Sequence, residues 1–454
     1  MLVAAALLTL PVFARTPETA PVRAGSEQGI YDGGRRLKPC GSARRIEGTG
    51  MGHRRDRFFK HEDFEFMVEL ALGATYHRGA DIGECLATVA RISDGDAESW
   101  FVEWTATADR VADAARGAEA SGRSVSAAEA WLRAATYYDT ATFFLDSSDE
   151  PERMLPTWEL HRSAWEGFAR NHSPEIEPVS IPYEGTELDG YLFRVDDSGR
   201  RRPLLILNNG SDGPISAMWL QGAAGGLARG YNCLAFDGPG QGSALWRRGL
   251  YFRPDWEAVV TPVVDFALGL DEVDPERVAL LGVSQGGYWV PRAVAFEKRI
   301  AAAVADPGVT DVGESWRAHI TKGMVKQIAE GDREKFNRNM NWGTRFSRAV
   351  RGSLEFRMRP FGLETPFDVY EALDGYRLAS VAERIECPIL ITDPENEQFW
   401  PGQSKQLFDA VSTPADKKAL VAFSEAEGAD SHCEPRALGL RDQRIFDWLD
   451  AVLG

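Results

Sequence analysis

The sequence predicts an α/β protein: a mostly parallel, twisted sheet with helices on both faces, preceded by a helical domain and interrupted by a helical cap. Three observations carry this. From about residue 176, short apolar runs alternate with helical stretches, the pattern of a parallel sheet covered on both sides. Residues 58–175 instead repeat apolar side chains at helical spacing. Between Val309 and Pro388 the alternation stops, in a charged stretch of helical character. Loops of that length without structure are rare inside a domain. A cap over about residues 310–385 is therefore expected, inside a core of residues 176–454.

The elements follow in order. Residues 1–57 are rich in Gly, Pro, Ser and Arg after an apolar start, and read as a disordered extension. In 58–175, Phe64, Met67, Val68 and Ala71 share a helix face, as do Trp131, Leu132, Ala135 and Tyr138 within Ala127–Phe144. Gly117 and Gly122 suit a turn between helices. Four to six helices are expected there. At Pro178 the period changes. Val179–Pro182 and Leu188–Phe193 read as strands joined at Gly185. Leu204–Leu207 is a buried strand followed by a helical stretch to Ala228. Cys233–Phe236 is followed by a loop and a helix from Trp256 to Leu270, and Val278–Leu281 by a helix from Gln285 to Phe296. Ala302–Ala305 precedes the cap. Ile389–Ile391 leads to a helix around Ser404–Val411, and Ala419–Phe423 to a last helix, about Arg436–Val452.

A chain of 454 residues makes two or three domains. Its 44% apolar and 26% charged residues are those of a globular protein. The net charge of −17 argues against broad nucleic-acid binding and against anionic membranes, both of which need clustered Lys and Arg. Residues 1–60 hold 11 basic and 5 acidic side chains, so the remainder is more acidic still. The five cysteines (Cys40, Cys85, Cys233, Cys387 and Cys433) form no CxxC, which suits a reducing compartment. Leu2–Phe13 is apolar and ends in a passable signal-peptidase site at Val12-Phe13-Ala14, but no Lys or Arg precedes it. The expectation is a cytoplasmic protein, with secretion through residues 1–14 as the alternative. A start at Met51 is a further option.

The chemistry sits in Leu280-Leu281-Gly282-Val283-Ser284-Gln285-Gly286-Gly287, a G-x-S-x-G between a strand and a helix. A sharp turn there strains the serine, and small neighbours at Gly282 and Gly286 let backbones pass closely. Serine needs a base to take its proton. Among seven histidines, His432 alone follows the last strand, in a loop that returns over the carboxyl edge of the sheet. His53 falls in the extension, His61, His77, His161 and His172 in or beside the helical domain, and His319 in the cap. The base needs a carboxylate to hold its tautomer. Asp393, Glu395 and Glu397 compete, in the loop after the penultimate strand. The oxyanion needs donors. Gln285 N–H, at the start of the helix, is one. Ser211 N–H, in the loop Asn208–Gly213, is the other by position. Phe236–Gly242 has glycines but no G-x-G-x-x-G, and no helix is expected at once behind it. It reads as a structural turn, with Asp237 as a local hydrogen-bonding group. No HExxH or zinc spacing is present, and a Ser–His–acid set needs no cofactor.

The elbow Gly282–Gly287, the turn Asp237–Gly242 and the late His432 resemble the α/β-hydrolase superfamily, in the order Ser284, acid, His432. The helical domain before such a core resembles the 2,6-dihydroxypseudooxynicotine hydrolase group. The fungal hydrolases that shorten pigment polyketides, and the FrsA-like proteins, share this layout. The resemblance covers about residues 58–454. In the superfamily the acid sits four residues before a proline, which here points from Pro401 to Glu397. Glu397 stands where many members have Asp, and Asn208-Asn209-Gly210 where many have His-Gly. The resemblance implies a homodimer as the candidate assembly and a small organic carbonyl substrate: a carboxylic ester, or a β-ketone whose C–C bond is cut. The second reaction needs its carbanion protonated, and Glu314 and Asp311 at the start of the cap are candidates. Trp219, Tyr288, Trp289 and Trp316 are candidate aromatic walls. Two alternatives are a catalytically silent binding protein on this fold and a serine peptidase. The peptidase would need a propeller, and residues 58–175 show no strand repeats.

Overall fold

The computed structural model describes residues 57–379 and 381–454; the expectations for Met51, His53, Cys40 and the signal-like start lie outside them. One eight-stranded sheet organises the chain in the order β1-β2-β4-β3-β5-β6-β7-β8. The strands are β1 (Glu177–Tyr183), β2 (Thr186–Phe193), β3 (Arg202–Asn208), β4 (Asn232–Phe236), β5 (Val273–Val283), β6 (Ala302–Asp306), β7 (Ile389–Pro394) and β8 (Lys418–Phe423). β2 runs antiparallel to both its neighbours, and all other pairs are parallel. The β1–β2 turn places Glu184 (φ 41°) and Gly185 (φ 79°) in the left-handed region. Two successive positive φ values match the twist of a two-residue hairpin.

Side-chain alternation splits the core in two. On β3, Leu205 and Leu207 pack with the N-terminal helices and the last helix, Leu438–Leu453. Leu204 and Ile206 face the helices Glu257–Leu268 and Gly286–Val294 and the cap. Both faces of the strand are therefore apolar, as a doubly covered parallel sheet requires.

Among the described residues five α-helices form the N-terminal region: Glu62–Gly73, Ile82–Val89, Ala97–Ala120, Ser124–Thr142 and Met154–Asn171. Asp81 and Asp96 cap the second and third by accepting the free N–H groups of their first turns. The turn after the third lies at Gly122 (φ 67°), whereas Gly117 is inside the helix. Cap helices Gly313–Arg317, Lys322–Ala329, Arg333–Thr344, Arg348–Met358 and Pro366–Ala372 lie between β6 and β7. The cap docks on the N-terminal region. Arg359 and Arg348 pair with Asp146 and Asp149, and an added Cβ on Gly352 would meet Asp146 O at 2.5 Å.

Three elements differ from expectation. β5 begins five residues early, because Arg202 also pairs with Val273 across an irregularity in the register. The helix after β3 is a wide turn at Trp219–Ala223 followed by the short Ala224–Leu227, with Gln221 and Gly222 non-helical. A side chain on Gly222 would collide with Leu207. A helix, Gly242–Trp246, does start directly after the Asp237–Gly242 turn. Asp237 provides its missing cap by accepting Ser243 N–H at 2.9 Å. Among the described residues no helix is long and apolar enough to cross a membrane.

Candidate active site

Strand order reverses direction at β3 and β5, and the crevice at their carboxyl ends is where open α/β sheets bind ligands. Ser284 stands there, immediately after β5, at φ 58°. The close approach of two backbones holds it. A Cβ on Gly282 would lie 2.3 Å from Gly286 O, and one on Gly286 would lie 2.9 Å from Asn208 O. Ser284 N–H donates to Asp306 O at 2.6 Å.

His432 Nε2 lies 2.9 Å from Ser284 Oγ. Its Nδ1 lies 2.8 Å from Glu397 Oε2 and 3.0 Å from Oε1. Glu397 Oε1 also accepts the N–H groups of Phe399 (2.9 Å) and Trp400 (3.2 Å), which hold the carboxylate in place against the imidazole. Both side chains are buried. Phe399 and Trp400 pack on the imidazole, with centroids 4.5 and 5.7 Å away. The acid loop and the histidine loop are laced together by Asn396 on Asp430 and by Gln398 Oε1, which accepts His432 N–H at 2.9 Å. The other two acids are placed elsewhere. Glu395 accepts Glu425 N–H at 2.9 Å. Asp393 stays on β7, where burial and then the charge of Glu397 push its carboxyl above the usual range.

Among the described residues the N–H groups of Gln285 and Ser211 meet no acceptor, and both residues line the cavity beside Ser284. Gly210 N–H is taken by Asn209 Oδ1 at 2.8 Å. Gly210 has no room for a side chain: a Cβ would sit 2.8 Å from Ser284 Cβ. Gln241 braces this loop by donating to Asn209 O (2.9 Å) and Gly210 O (2.7 Å). This role was not foreseen in the sequence, because the contact spans 32 residues. Asp237 acts as the local hydrogen-bonding group expected of it, accepting Ser243 Oγ–H at 3.0 Å and Arg162 Nη1–H at 3.1 Å.

The triad opens into a cavity of about 340 Å³ walled by three parts of the chain. Phe64, Phe144 and Trp158 come from the N-terminal region, Trp246 from the core, and Phe356 and Phe361 from the cap. Of the four aromatics singled out in the sequence, Trp316 alone lines it. Trp289 stacks on Trp256 at 4.2 Å in the core, and Tyr288 hydroxyl donates to Pro254 O at 2.9 Å. Trp219 packs on Phe168 and His172. Neither Asp311 nor Glu314 reaches the cavity: Asp311 pairs with Arg317 and Arg377, and Glu314 accepts Gln403 Nε2–H at 2.7 Å. Among the described residues four aspartates line the cavity, Asp63, Asp139, Asp146 and Asp212; Asp146 is paired with Arg359, and the Arg357 charge acts on Asp212. Burial, then the charge of Asp212, raises the Asp139 carboxyl well above its ordinary range. Burial raises Asp212 against the opposing pull of Arg357, and burial lowers Arg357. No local pattern marks these residues, because three separate segments bring them together.

Comparison with known proteins agrees with this architecture. Hydrolase LUC6 of a Fusarium species is 32% identical over 424 residues, which is 88% of this chain and 98% of that protein. The 20-hydroxy-prefusarin hydrolase FUS2 of Gibberella moniliformis is 30% identical, over 87% of this chain and 98% of its own. The crystal structure of 2,6-dihydroxy-pseudo-oxynicotine hydrolase superposes with a TM-score of 0.63 at 21% identity, covering 84% of this chain and 95% of that one. Residues 204–434 match the family described as Alpha/beta hydrolase family. The chain belongs to the α/β hydrolase family and is a hydrolase.

Proposed function

We propose that the protein is a serine hydrolase working through an acyl-enzyme on a small, largely apolar organic carbonyl compound. The observation that carries this is the unbroken chain Ser284 Oγ–His432 Nε2–Glu397, at 2.9 and 2.8 Å. Ser284 attacks the carbonyl as His432 takes its proton, and Glu397 stabilises the imidazolium that forms. The free N–H groups of Gln285 and Ser211 receive the oxyanion. His432 then gives this proton to the leaving group as its bond to the carbonyl carbon breaks; neutral again, it takes a proton from a water that attacks the acyl carbon, and passes that proton to Ser284 Oγ as the acyl group departs. Size supports a small molecule: this cavity of about 340 Å³ falls within the range of about 300 to 1,000 Å³ typical of small-molecule pockets. Intact triad geometry argues against a silent binding protein.

One observation favours C–C cleavage of a β-ketone over ester hydrolysis. A carbanion leaving group needs a proton, and Asp139 and Asp212 place carboxyl groups held toward the neutral form in the same cavity. The alcohol leaving an ester takes the proton that His432 holds, so a second donor matters for the carbanion and not for the ester. A hydroxylated polyketide-like substrate is consistent with the name of the relative that acts on 20-hydroxy-prefusarin.

The test is a fluorophosphonate, followed by intact mass and peptide mapping. An adduct on Ser284 that is lost in His432→Ala supports the reading, and well-folded protein that takes no label counts against it. Turnover of a simple aryl ester compared with a 1,3-diketone then separates the two reactions.

A further inference from the structure

A buried charged group lies behind the triad, and the chemistry above makes no use of it. Its centre is Asp306, at the end of β6 and fully inaccessible. The Asp306 backbone oxygen accepts Ser284 N–H at 2.6 Å and the Cys433 thiol at 3.5 Å. Its carboxylate accepts the Thr392 hydroxyl at 2.7 Å and Arg441 Nε–H at 2.6 Å. Ser284 is the nucleophile, Cys433 follows the base, and Thr392 lies on β7, which leads to Glu397. One residue therefore grips every segment that carries a member of the triad.

Arg441, also fully inaccessible, extends the group. Its Nη1 donates to Gln221 O at 2.9 Å, and Glu434 Oε2 and Asp442 Oδ1 each lie 3.7 Å from the guanidinium. Asp442 Oδ2 in turn meets His77 Nε2 at 2.8 Å, and His77 belongs to the N-terminal region. Burial, then the charge of Asp306, pushes the Glu434 carboxyl well above its ordinary range. Cys433 (φ 57°) and Glu434 (φ 47°) both hold left-handed backbone directly after His432. Non-glycine residues keep such conformations only where their surroundings over-determine them.

Stability alone does not account for this arrangement. Buried ion pairs can often be replaced by apolar residues with no loss of stability, and fixing a geometry is the better-attested use. A guanidinium suits that use, because its donors point in a rigid fork.

We propose that Asp306 and Arg441 are positioning residues that set the triad's geometry, and that the Asp442–His77 contact makes docking of the N-terminal region part of the same device. The proposal rests on the Ser284–His432–Glu397 reading. It predicts that this region does more than wall the cavity: it reaches the nucleophile through a chain of four side chains.

The test measures the rate of fluorophosphonate labelling of Ser284, kcat and KM on an aryl ester, and the unfolding temperature, in the full chain. Arg441→Met is expected to lower the labelling rate and kcat at least tenfold with KM within twofold, and Arg441→Lys to recover part of that loss. His77→Ala is expected to lower both rates at least threefold, and His77→Gln, which keeps a donor for Asp442, to restore them. Labelling at the wild-type rate in folded Arg441→Met overturns the positioning role, whatever its unfolding temperature. If Arg441→Met does not fold, the His77 pair decides: unchanged rates in His77→Ala overturn the proposal. A wild-type protein that takes no label at all overturns the triad reading itself, and that outcome is distinct from either of the others.

Discussion

At the scale of the residue, Ser284, the proposed nucleophile, also holds strained backbone. Its φ of 58° is costly for any L side chain and worst for a β-branched one. Ser284→Ala should lower kcat by several orders of magnitude with folding retained, since removing one triad member costs nearly as much as removing all three. Ser284→Thr keeps a hydroxyl but adds a methyl to a left-handed residue beside Gly210. It should also lose fluorophosphonate labelling, and circular dichroism should show the fold intact. Labelling of the Thr variant at a rate within tenfold of wild type would show that the elbow is not tight. Asp212 makes a different prediction. If the proposed C–C cleavage takes its proton from Asp212, Asp212→Asn removes that donor and keeps the shape, so turnover of a 1,3-diketone should fall at least tenfold further than turnover of an aryl ester. An equal fall on both substrates would leave Asp212 with a binding role only.

The serine turn, the acid loop and the late histidine were legible in the sequence because each follows a recognisable strand; the choice of Glu397 over Asp393 and Glu395 came only from the resemblance. The cavity was not. Phe64, Trp246 and Phe361 meet across almost 300 positions of chain, and nothing in their neighbourhoods distinguishes them from core aromatics such as Trp289. Trp219, Tyr288 and Trp289 lie near the motifs in sequence, yet helical geometry turns them away from the site.

At the scale of the element, strands and long helices follow their sequence periods, and the departures have local causes. The helix Met154–Asn171 shows how an element carries a conditional stability. His161 is buried in it, with Nδ1 on Ala135 O at 2.9 Å and Nε2 without a partner. Burial, set against its backbone hydrogen bond, lowers its pKa from 6.5 to about 4. Burial, reinforced by Arg357, lowers His319 in the cap likewise to about 4. A histidine depressed in the folded state binds its proton more readily when unfolded. Stability from both is then complete above pH 6.5 and declines as pH falls toward 4. Thermal unfolding should show Tm decreasing across that window, and His161→Gln should flatten part of the decrease. A Tm independent of pH between 6.5 and 4 would contradict the burial of these rings.

At the scale of the whole molecule, the N-terminal region and the base loop touch directly. A Cβ on Gly73, at the end of helix Glu62–Gly73, would lie 1.7 Å from Pro435 O, three residues past His432. Arg436 on the same loop faces Glu69 at 3.4 Å. Gly73→Ala must therefore push the helix or the loop, and should lower both kcat and Tm, measured on an aryl ester and by calorimetry. Wild-type values in that variant would show that the two parts are free to separate by an ångström or more at no cost.

The three-part wall of the cavity has a consequence for inheritance. Reactive groups come from residues 204–434, but much of the surface that would recognise a substrate comes from helices ahead of the core and from the cap. Excised alone, the catalytic half would turn an apolar wall outward and become sticky, as exposed patches of that kind do. Exchanging the helical half between two relatives should therefore transfer the taste for one carbon skeleton over another while the serine goes on reacting as before. Diversity of substrates in such a lineage can accumulate in segments that never touch the nucleophile.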